Sequence, residues 1–483
     1  MSLARRTITS TAWNFIAKLV SVVVLSVRSV LLARLLPVDA FGIYAGAGAA
    51  VGLTQVVAHF GMGGAFLHRS PETENEEQAA AVHFTLTLVF TLIWAGLLAT
   101  GACLFSSGQT RTALLMFTLT SGGIMLAQTP RLILIRRVVH RRLALMQALN
   151  ALLTTLVAVS LAWQGATLWA LLATDVVSLI LTIVMLYVWR PVWHPRLIWL
   201  PEAMRYFLHF GSRNFLAIVL LRALDKVDDL WTRFCLGVTP MGFYSRAYTF
   251  ATYPRNILAQ PINAVAQGTY AELKGDRLRL SQAFFRINAF LVRSGFLLAG
   301  LLALIAPEFI RLVLGTKWLP MLDAFRLMLV YTLLDPIKLT VGSLFIAVGK
   351  PEKVLRARFV QLVVLIGGLL LLGPPLGITG VALAVDIMLV VGMVILLWQA
   401  RSYVSFSLFR LFAAPGLALF LGMLLARGAI ALPGVIGSDW RTGSVKVAVF
   451  LAVYGIVLLI LERRQFHEMF LVLGKQIFRQ LGT

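Results

Sequence analysis

The chain has 483 residues, of which 59% are hydrophobic and 13% are charged, and its mean hydropathy is +0.87. A soluble globular protein is about one quarter charged, so this composition excludes a water-soluble chain. A formal net charge of +23 would suggest nucleic acid binding in a soluble protein, but the sequence carries no nucleic-acid-binding motif. We therefore expect a protein of the lipid bilayer with no nucleic acid partner.

Apolar stretches long enough to cross a bilayer as helices recur from one end of the chain to the other. They predict an all-α integral membrane protein with about fourteen transmembrane helices. The predicted spans are 11–36, 41–67, 79–105, 112–136, 143–163, 167–189, 208–235, 243–270, 284–306, 323–347, 354–373, 377–398, 407–427 and 444–462.

Basic residues are distributed unevenly among the loops between these spans. One alternating set of loops is rich in Arg and Lys, and the other set holds few: Arg111, Arg311, Lys317, Arg427 and Arg441. Because basic loops stay in the cytoplasm, the bias places both termini on the cytoplasmic side.

The first spans of the two halves of the chain resemble each other. Residues 11–60 align with residues 211–260 at a constant offset of 200, which pairs G-I-Y-A-G-A with G-F-Y-S-R-A. Six spans per half is an even number, so the repeats enter the membrane from the same side and are parallel. The repeat predicts six-helix lobes at 1–200 and 201–400, with two additional helices and a basic cytoplasmic tail at 401–483.

Polar and basic residues lie inside several spans. A charge at mid-helix costs roughly 2.5–3.5 kcal/mol on insertion scales, so such charges usually face a polar cavity. In span one, Asn14, Lys18 and Arg28 follow one helix face. Two alternatives stay open: Lys18 can reach the cytoplasmic headgroups, and Arg28 can pair with an acid on another helix.

Span eight adds Arg246 and Arg255, which have few acids close in sequence. A guanidinium binds phosphate or carboxylate through two parallel hydrogen bonds, so these residues favour an anionic ligand. The predicted cavity residues are Arg28, Arg246, Arg255, Asn14, Lys18 and Asn214.

Span seven has an unusual density of charge. Arg222 and Lys226 can pair with Asp225 and Asp229 at i,i+3 spacing. Under the repeat, Asp228 takes the position of Arg28, which predicts a gating ion pair between them. The gating candidates are Arg222, Asp225, Asp228 and Asp229.

Two lone acids, Asp175 and Asp386, lie in apolar helices and are candidates for ion or proton coupling. The alternative for such acids is hydrogen bonding to neighbouring hydroxyls such as those of Thr174 and Ser178. We expect no catalytic residue, metal site or cofactor, because nucleotide, zinc and nucleophile motifs are missing. Cys103 and Cys235 are expected to be small buried apolar residues rather than a disulfide.

Several motifs resemble those of bacterial polysaccharide flippases of the Wzx type, close to the colanic-acid-exporter branch. They are R-L-L-P at 34–37 with F-G-I-Y at 41–44, G-F-Y-S-R-A-Y at 242–248, G-T-K-W-L-P at 315–320 and G-I-T-G-V-A at 377–382. The resemblance covers roughly residues 1–400, in order and at matching spacing. The doubled acid at Asp228 and Asp229 departs from the single acid common in this family.

The resemblance implies the fold of the multidrug/oligosaccharidyl-lipid/polysaccharide exporter superfamily, with two six-helix lobes in a V. It implies an undecaprenyl-pyrophosphate-linked oligosaccharide as substrate, moved from the cytoplasmic to the periplasmic leaflet of the bacterial inner membrane. Coupling to protons or another cation, and contact with a polysaccharide polymerase and a chain-length regulator, are further expectations. The alternatives are a drug/cation antiporter of the same superfamily, and a non-transporting scaffold or enzyme of polysaccharide assembly.

Overall fold

The computed structural model describes residues 20–69, 75–137, 139–255, 259–430 and 438–463. Within these ranges the regular structure is helical and includes no β-strand. The predicted all-α class is therefore confirmed for the described chain.

The helices follow one another with short connections. The first half contains α1 (20–35), α2 (Val38–His59), α3 (Met62–His68), α4 (Glu76–Phe105), α5 (Gly108–Leu126), α6 (Gln128–Arg136), α7 (His140–Trp163), α8 (Thr167–Ile183) and α9 (Pro201–Trp231). The second half contains α10 (Val238–Pro254), α11 (Gln260–Leu273), α12 (Arg277–Phe309), α13 (Leu322–Ala347), α14 (Pro351–Ala400), α15 (Leu408–Ile430) and α16 (Asp439–Leu461). Single π-helical turns extend α8, α9 and α12 at their ends.

Eleven helices in the described chain are long and apolar enough to cross a membrane. One of them, α14, bends at Gly377, whose φ is +57°, and it contains both predicted spans 354–373 and 377–398. The predicted span 243–270 corresponds instead to α10 and α11, and α10 ends at Pro254. The helical class is thus established, while the count of fourteen spans stays a prediction.

The chain divides into two compact units. The first contains α1 to α9, most of α10 and residues 358–388 of α14. The second contains the remainder of α10, α11 to α13, the ends of α14, and α15 and α16. The lobe boundaries at 200 and 400 come from the sequence repeat and stay a prediction.

In the first unit α2 packs against α4, α5, α8 and α9. Its small residues allow close approach, as small residues do in membrane helix pairs. Gly42 lies against the carbonyl of Val238, and Gly242 lies against the carbonyl of Val38. A Cβ at either glycine would overlap that oxygen, so the starts of α2 and α10 are in backbone contact.

In the second unit, α15 and α16 pack on α12 around a shared apolar core. Arg293 of α12 donates to both oxygens of Glu462, at 2.6 and 2.5 Å, and both side chains are buried. Lys446 of α16 forms a second buried pair with Glu308 at 2.6 Å. The C-terminal helices predicted as an addition to the core are therefore an integral part of this unit.

The predicted burial of the two cysteines is wrong. Cys103 and Cys235 are free and exposed. Both lie within predicted spans, on helix faces with neighbouring exposed apolar side chains such as Leu104 and Phe234. In a membrane these faces contact lipid, where a thiol is tolerated as a small apolar group.

Candidate functional site

The guanidinium of Arg28 is held by a hydroxyl. Its Nη1 donates to Oγ1 of Thr154 on α7 at 2.9 Å, and the Thr154 hydroxyl donates in turn to the carbonyl of Asn150 at 2.6 Å. No carboxylate of the described chain lies within 4.0 Å of Arg28. The charge of Arg28 is thus oriented by the protein without being neutralised in an ion pair.

Arg246 of α10 also contacts α1. Its guanidinium lies over the ring of Phe41, 4.5 Å from the centroid, and its Nη1 donates to Oγ of Ser29 at 3.4 Å. A cation over an aromatic face gains about 0.5–2 kcal/mol. Helix α1 therefore contributes one predicted cavity arginine, Arg28, and contacts another, Arg246; Arg28, Ser29, Phe41 and Arg246 are called the α1 cluster below.

Tyr44 lies one turn after Phe41 on α2 and binds the lone acid of α8. Its hydroxyl donates to Oδ2 of Asp175 at 2.9 Å. Asp175 is thus bonded to a hydroxyl, as the alternative for it proposed, but to that of Tyr44; the hydroxyls of Thr174 and Ser178 donate to backbone carbonyls. Arg28 acts electrostatically on Asp175, which links this carboxylate to the α1 cluster.

The counterpart of Tyr44 in the repeat, Tyr244, binds a different acid. Its hydroxyl donates to Oδ2 of Asp228 at 2.5 Å, and Asp228 is buried. The predicted ion pair between Arg28 and Asp228 is absent from the described chain: Arg28 donates to Thr154, and Asp228 accepts from Tyr244. The gating role of Asp228 stays a prediction.

The other charges of α9 form one of the two predicted pairs. Lys226 and Asp229 form an ion pair at 3.1 Å, as the i,i+3 spacing predicts. Arg222 and Asp225 do not pair within the described chain; Asp225 is exposed and acts electrostatically on Arg358 of α14. Arg222 lies partly buried on α9, close enough to His59 of α2 to act on it electrostatically.

Asp386 is buried in α14 with 5% of its surface exposed. Neither carboxylate oxygen has a hydrogen-bond partner in the described part of the chain. A buried polar group without a partner costs free energy, so its presence needs a reason other than local structure. The assignment of Asp386 to ion coupling stays a prediction.

Arg255 lies in the second unit and has an acidic partner. Its Nε is 2.6 Å from Oδ2 of Asp335, and Lys338 binds the other oxygen at 2.7 Å. Few acids lie close to Arg255 in sequence, and its partner comes from α13, about 80 residues later. Two cations on one fully buried carboxylate still leave one net positive charge.

The remaining predicted residues contribute less. Asn214 is exposed and donates to the carbonyl of Phe210 one turn earlier on its own helix, at 3.1 Å. Asn14 and Lys18 lie outside the described residues. No group of three or more His, Cys, Asp or Glu in the described ranges could hold a metal ion.

Sequence reasoning missed a second line of cations along α2. The side chain of Arg233 packs against Gly46 and donates to Oγ1 of Thr110 at 3.3 Å, and Lys226 packs against Gly52. The glycines at 42 and 46 form a G-x-x-x-G pattern, which marks close helix packing in membranes. This pattern is the sequence signal from which close packing against α2 could have been predicted.

Three comparisons relate the sequence to known proteins. A family model described as polysaccharide biosynthesis protein matches residues 31–323. The chain is 22% identical to the lipopolysaccharide biosynthesis protein WzxC of Escherichia coli (strain K12), over 79% of this chain and 78% of WzxC. It is 22% identical to a membrane protein of the cps region of Klebsiella pneumoniae, over 76% of each. It is 25% identical to the teichuronic acid biosynthesis protein TuaB of Bacillus subtilis, over 34% of each.

Solved structures share the fold. The inward closed conformation of the lipid II flippase MurJ matches with a TM-score of 0.70 and 17% identity, covering 94% of this chain and 99% of MurJ. An inward-facing multidrug resistance MATE family transporter matches with a TM-score of 0.55 and 16% identity, covering 82% of this chain and 94% of the transporter. The fold is therefore that of all-α membrane exporters.

Proposed function

Because the chain belongs to the polysaccharide biosynthesis protein family, we propose that it flips lipid-linked oligosaccharide repeat units across the bacterial inner membrane. The resemblance read from its motifs agrees with the family match and with the relative named WzxC. The proposed substrate carries the oligosaccharide on undecaprenyl pyrophosphate. The proposed direction is from the cytoplasmic to the periplasmic leaflet, with both termini in the cytoplasm, and a polymerase and a chain-length regulator are the proposed neighbours.

The observation that carries the proposal is the state of Arg28. Its guanidinium is placed inside a predicted span by a neutral hydroxyl, with no carboxylate of the described chain within 4.0 Å. An unneutralised guanidinium at that position is expensive without a ligand and suits the oxygens of a pyrophosphate. Arg246, which reaches the neighbouring residue of α1, is the second proposed contact. Arg255, Asn14, Lys18 and Asn214 complete the proposed set, with less support.

The proposed mechanism is alternating access coupled to a proton or another cation. Asp175 and Asp386 are the proposed coupling acids. Asp175 accepts a hydrogen bond from Tyr44 and interacts electrostatically with Arg28, whereas Asp386 is buried and has no hydrogen-bond partner in the described chain. Arg222, Asp225, Asp228 and Asp229 stay the proposed gating residues.

A drug/cation antiporter is the second candidate, since MATE family transporters share the fold. A site for cationic drugs should be acidic, whereas the α1 cluster contains Arg28 and Arg246 beside the single acid Asp175. A non-transporting scaffold needs no oriented charge inside a span. An enzyme of polysaccharide assembly needs a large external loop, which the sequence does not provide.

The test is transfer in proteoliposomes of known protein orientation. Lipid-linked oligosaccharide is placed in the leaflet on the side of the basic loops, and a glycosidase on the other side reports its arrival. We expect Arg28→Gln to lower the transfer rate at least about tenfold, since one charge-assisted pair is worth roughly 1.5–3 kcal/mol. Arg28→Lys should transfer at a rate between those of wild type and Arg28→Gln, because lysine keeps the charge but lacks the two parallel N–H donors of the guanidinium.

Arg111→Gln is the matched control, because Arg111 is exposed and, within the described chain, its guanidinium donates to the carbonyl of Ser106 alone. It should transfer at the wild-type rate. Transfer by Arg28→Gln at that rate would remove Arg28 from the site and leave the flippase proposal standing. No transfer by folded wild-type protein, with several glycan lipids tried, would reject the flippase in favour of the antiporter or scaffold.

A further inference from the structure

A basic pocket lies in the second unit and includes neither Arg28 nor Arg246. It is formed by the first turns of α12 and by residues 405–410 at the start of α15, and it encloses about 560 Å³. Its lining includes three arginines, Arg277, Arg286 and Arg410, and no acid. Such a concentration of one sign of charge in a concave surface is a feature of anion sites.

The positive charge of this pocket is not neutralised nearby. Arg286 and Arg410 have no carboxylate within 4.0 Å in the described chain, and Arg277 makes only a long bond of 3.5 Å to the carbonyl of Arg401. The closest acid along the helix, Asp276, is already occupied. It caps α12 through the amides of residues 278 and 279, at 3.1 Å each, and pairs with Arg279 at 3.3 Å.

The pocket is preformed by a fixed connection between helices. Ser281 is buried in its wall; its hydroxyl donates to the carbonyl of Arg277 at 2.7 Å and accepts from the amide of Ser405 at 2.9 Å. This bridge holds the segment before α15 against α12. The backbone that carries the three arginines is therefore fixed before a ligand binds, which avoids the cost of ordering a loop.

The rest of the lining combines polar side chains with the apolar residues Leu278, Phe285 and Phe406. Of the Leu278 surface, 70% is exposed. The pocket lies at the ends of predicted spans 284–306 and 407–427, on the side with the basic loops. With the basic loops in the cytoplasm, as the sequence predicts, this places the pocket at the level of the inner-leaflet headgroups, where basic pockets between helices bind anionic lipids.

We propose that this pocket binds the phosphate headgroup of an anionic phospholipid of the cytoplasmic leaflet, with Arg277, Arg286 and Arg410 as the phosphate contacts. Leu278 and Phe285 would contact the upper part of the acyl chains. A free phosphate ion uses the arginines but gains nothing from the apolar wall. The site is independent of the transported lipid and does not rest on the proposed flipping activity.

The test is binding of headgroup-labelled phosphatidylglycerol to the full-length protein in a zwitterionic detergent-lipid micelle. We expect the double variant Arg286→Gln/Arg410→Gln to weaken binding at least about tenfold, because two charge-assisted contacts are lost. Arg279→Gln is the matched control, because it removes one charge from the same helix outside the pocket. Leu278→Ser should weaken lipid binding without altering any charge.

Three outcomes would overturn the proposal. Equal binding by wild type and the double variant would show that the pocket does not hold the lipid. An equal loss in Arg279→Gln and the double variant would indicate general surface charge. Full competition by inorganic phosphate at the concentration of the lipid, with no effect of Leu278→Ser, would assign the pocket to a soluble anion. If the double variant fails to fold, Arg286→Lys/Arg410→Lys replaces it, because it keeps both charges and removes only the guanidinium groups. Weaker lipid binding by this variant than by wild type supports the proposal.

Discussion

Thr239 donates its hydroxyl to the carboxylate of Asp39 at 2.6 Å, and these two residues occupy equivalent positions in the sequence repeat. The same offset relates the two backbone contacts beside them, Gly42 with Val238 and Gly242 with Val38. The first turns of α2 and α10 therefore meet through a reciprocal contact, in which each helix presents equivalent positions of the repeat to the other. Such reciprocity is the property of a two-fold interface, here between two repeats of one chain.

The reciprocal contact makes its glycines sensitive to the smallest substitution. Gly242→Ala would place a Cβ on the carbonyl of Val38, and we expect it to destabilise the folded protein by about 1–3 kcal/mol, as overpacking does. Thermal unfolding in detergent measures the change. Gly455→Ala is the control, because a Cβ there meets no atom within 4 Å; it should be neutral or slightly stabilising. Equal midpoints for both variants would contradict the close contact.

The buried pair between α12 and α16 should contribute more to stability than an exposed pair joining the same region. Glu462→Gln leaves Arg293 buried without its carboxylate and should cost about 3–5 kcal/mol. Arg311→Gln breaks the exposed pair with Asp439, where the arginine is 45% exposed, and should cost less than about 1 kcal/mol.

A double replacement of the buried pair provides the complementary measurement. Arg293→Met/Glu462→Leu removes both charges and should recover most of the stability lost in Glu462→Gln, because no buried charge is left unpaired. Unfolding midpoints of the single and double variants, measured in one detergent, give the comparison. A double variant less stable than the single one would show that the pair itself, rather than the unpaired charge, dominates.

The two tyrosine–aspartate bonds of the first unit should differ in strength. Tyr244→Phe leaves the buried Asp228 without its donor and should destabilise the protein by about 1–3 kcal/mol. Tyr44→Phe removes the bond to the half-buried Asp175, which solvent can partly replace, so the loss should be smaller. The difference in unfolding midpoint between the two variants measures this, and a reversed order would show that burial does not set the cost.

Replacing Asp386 should lower gradient-driven transport with little change in the free energy of unfolding. Because its carboxylate has no partner in the described chain, Asp386→Asn loses no hydrogen bond and should unfold within about 1 kcal/mol of the wild type. Under the proposed coupling role, transport driven by an imposed proton or cation gradient should fall to the rate seen without the gradient. Asp323→Asn, at an exposed position of α13, is the control. Gradient-driven transport at the wild-type rate in Asp386→Asn would reject the role.

The hydropathy of the sequence predicted the helices well, because a spanning helix can be identified from the length and apolar composition of its segment. The breaks within helices were less accessible: the chain turns at Phe60 and Gly61, whose φ values of +40° and +71° interrupt the predicted span 41–67. Pairing within one helix was also predictable, as Lys226 and Asp229 show.

The partners of most buried charges could not be predicted from the sequence. Arg255 finds Asp335 and Arg293 finds Glu462 only because separate helices pack together. The separation of two residues in sequence does not show whether their helices pack together. The pairing of Arg255 with Asp335 was therefore not predicted. Arg28 shows the opposite case, because its guanidinium donates to the neutral hydroxyl of Thr154 and no carboxylate of the described chain lies within 4.0 Å of it.

The ion pairs between α12 and α16 also constrain how the protein is made. Ribosomal synthesis delivers α12 to the membrane well before α16, so Arg293 and Glu308 enter without Glu462 and Lys446. Until α16 arrives, Arg293 and Glu308 lack these partners, and an unpaired charge costs up to roughly 2.5–3.5 kcal/mol where it lies at mid-bilayer. Biogenesis of the second unit is therefore completed by its last helix, and a chain released before α16 would present unpaired charges to the quality-control proteases of the membrane.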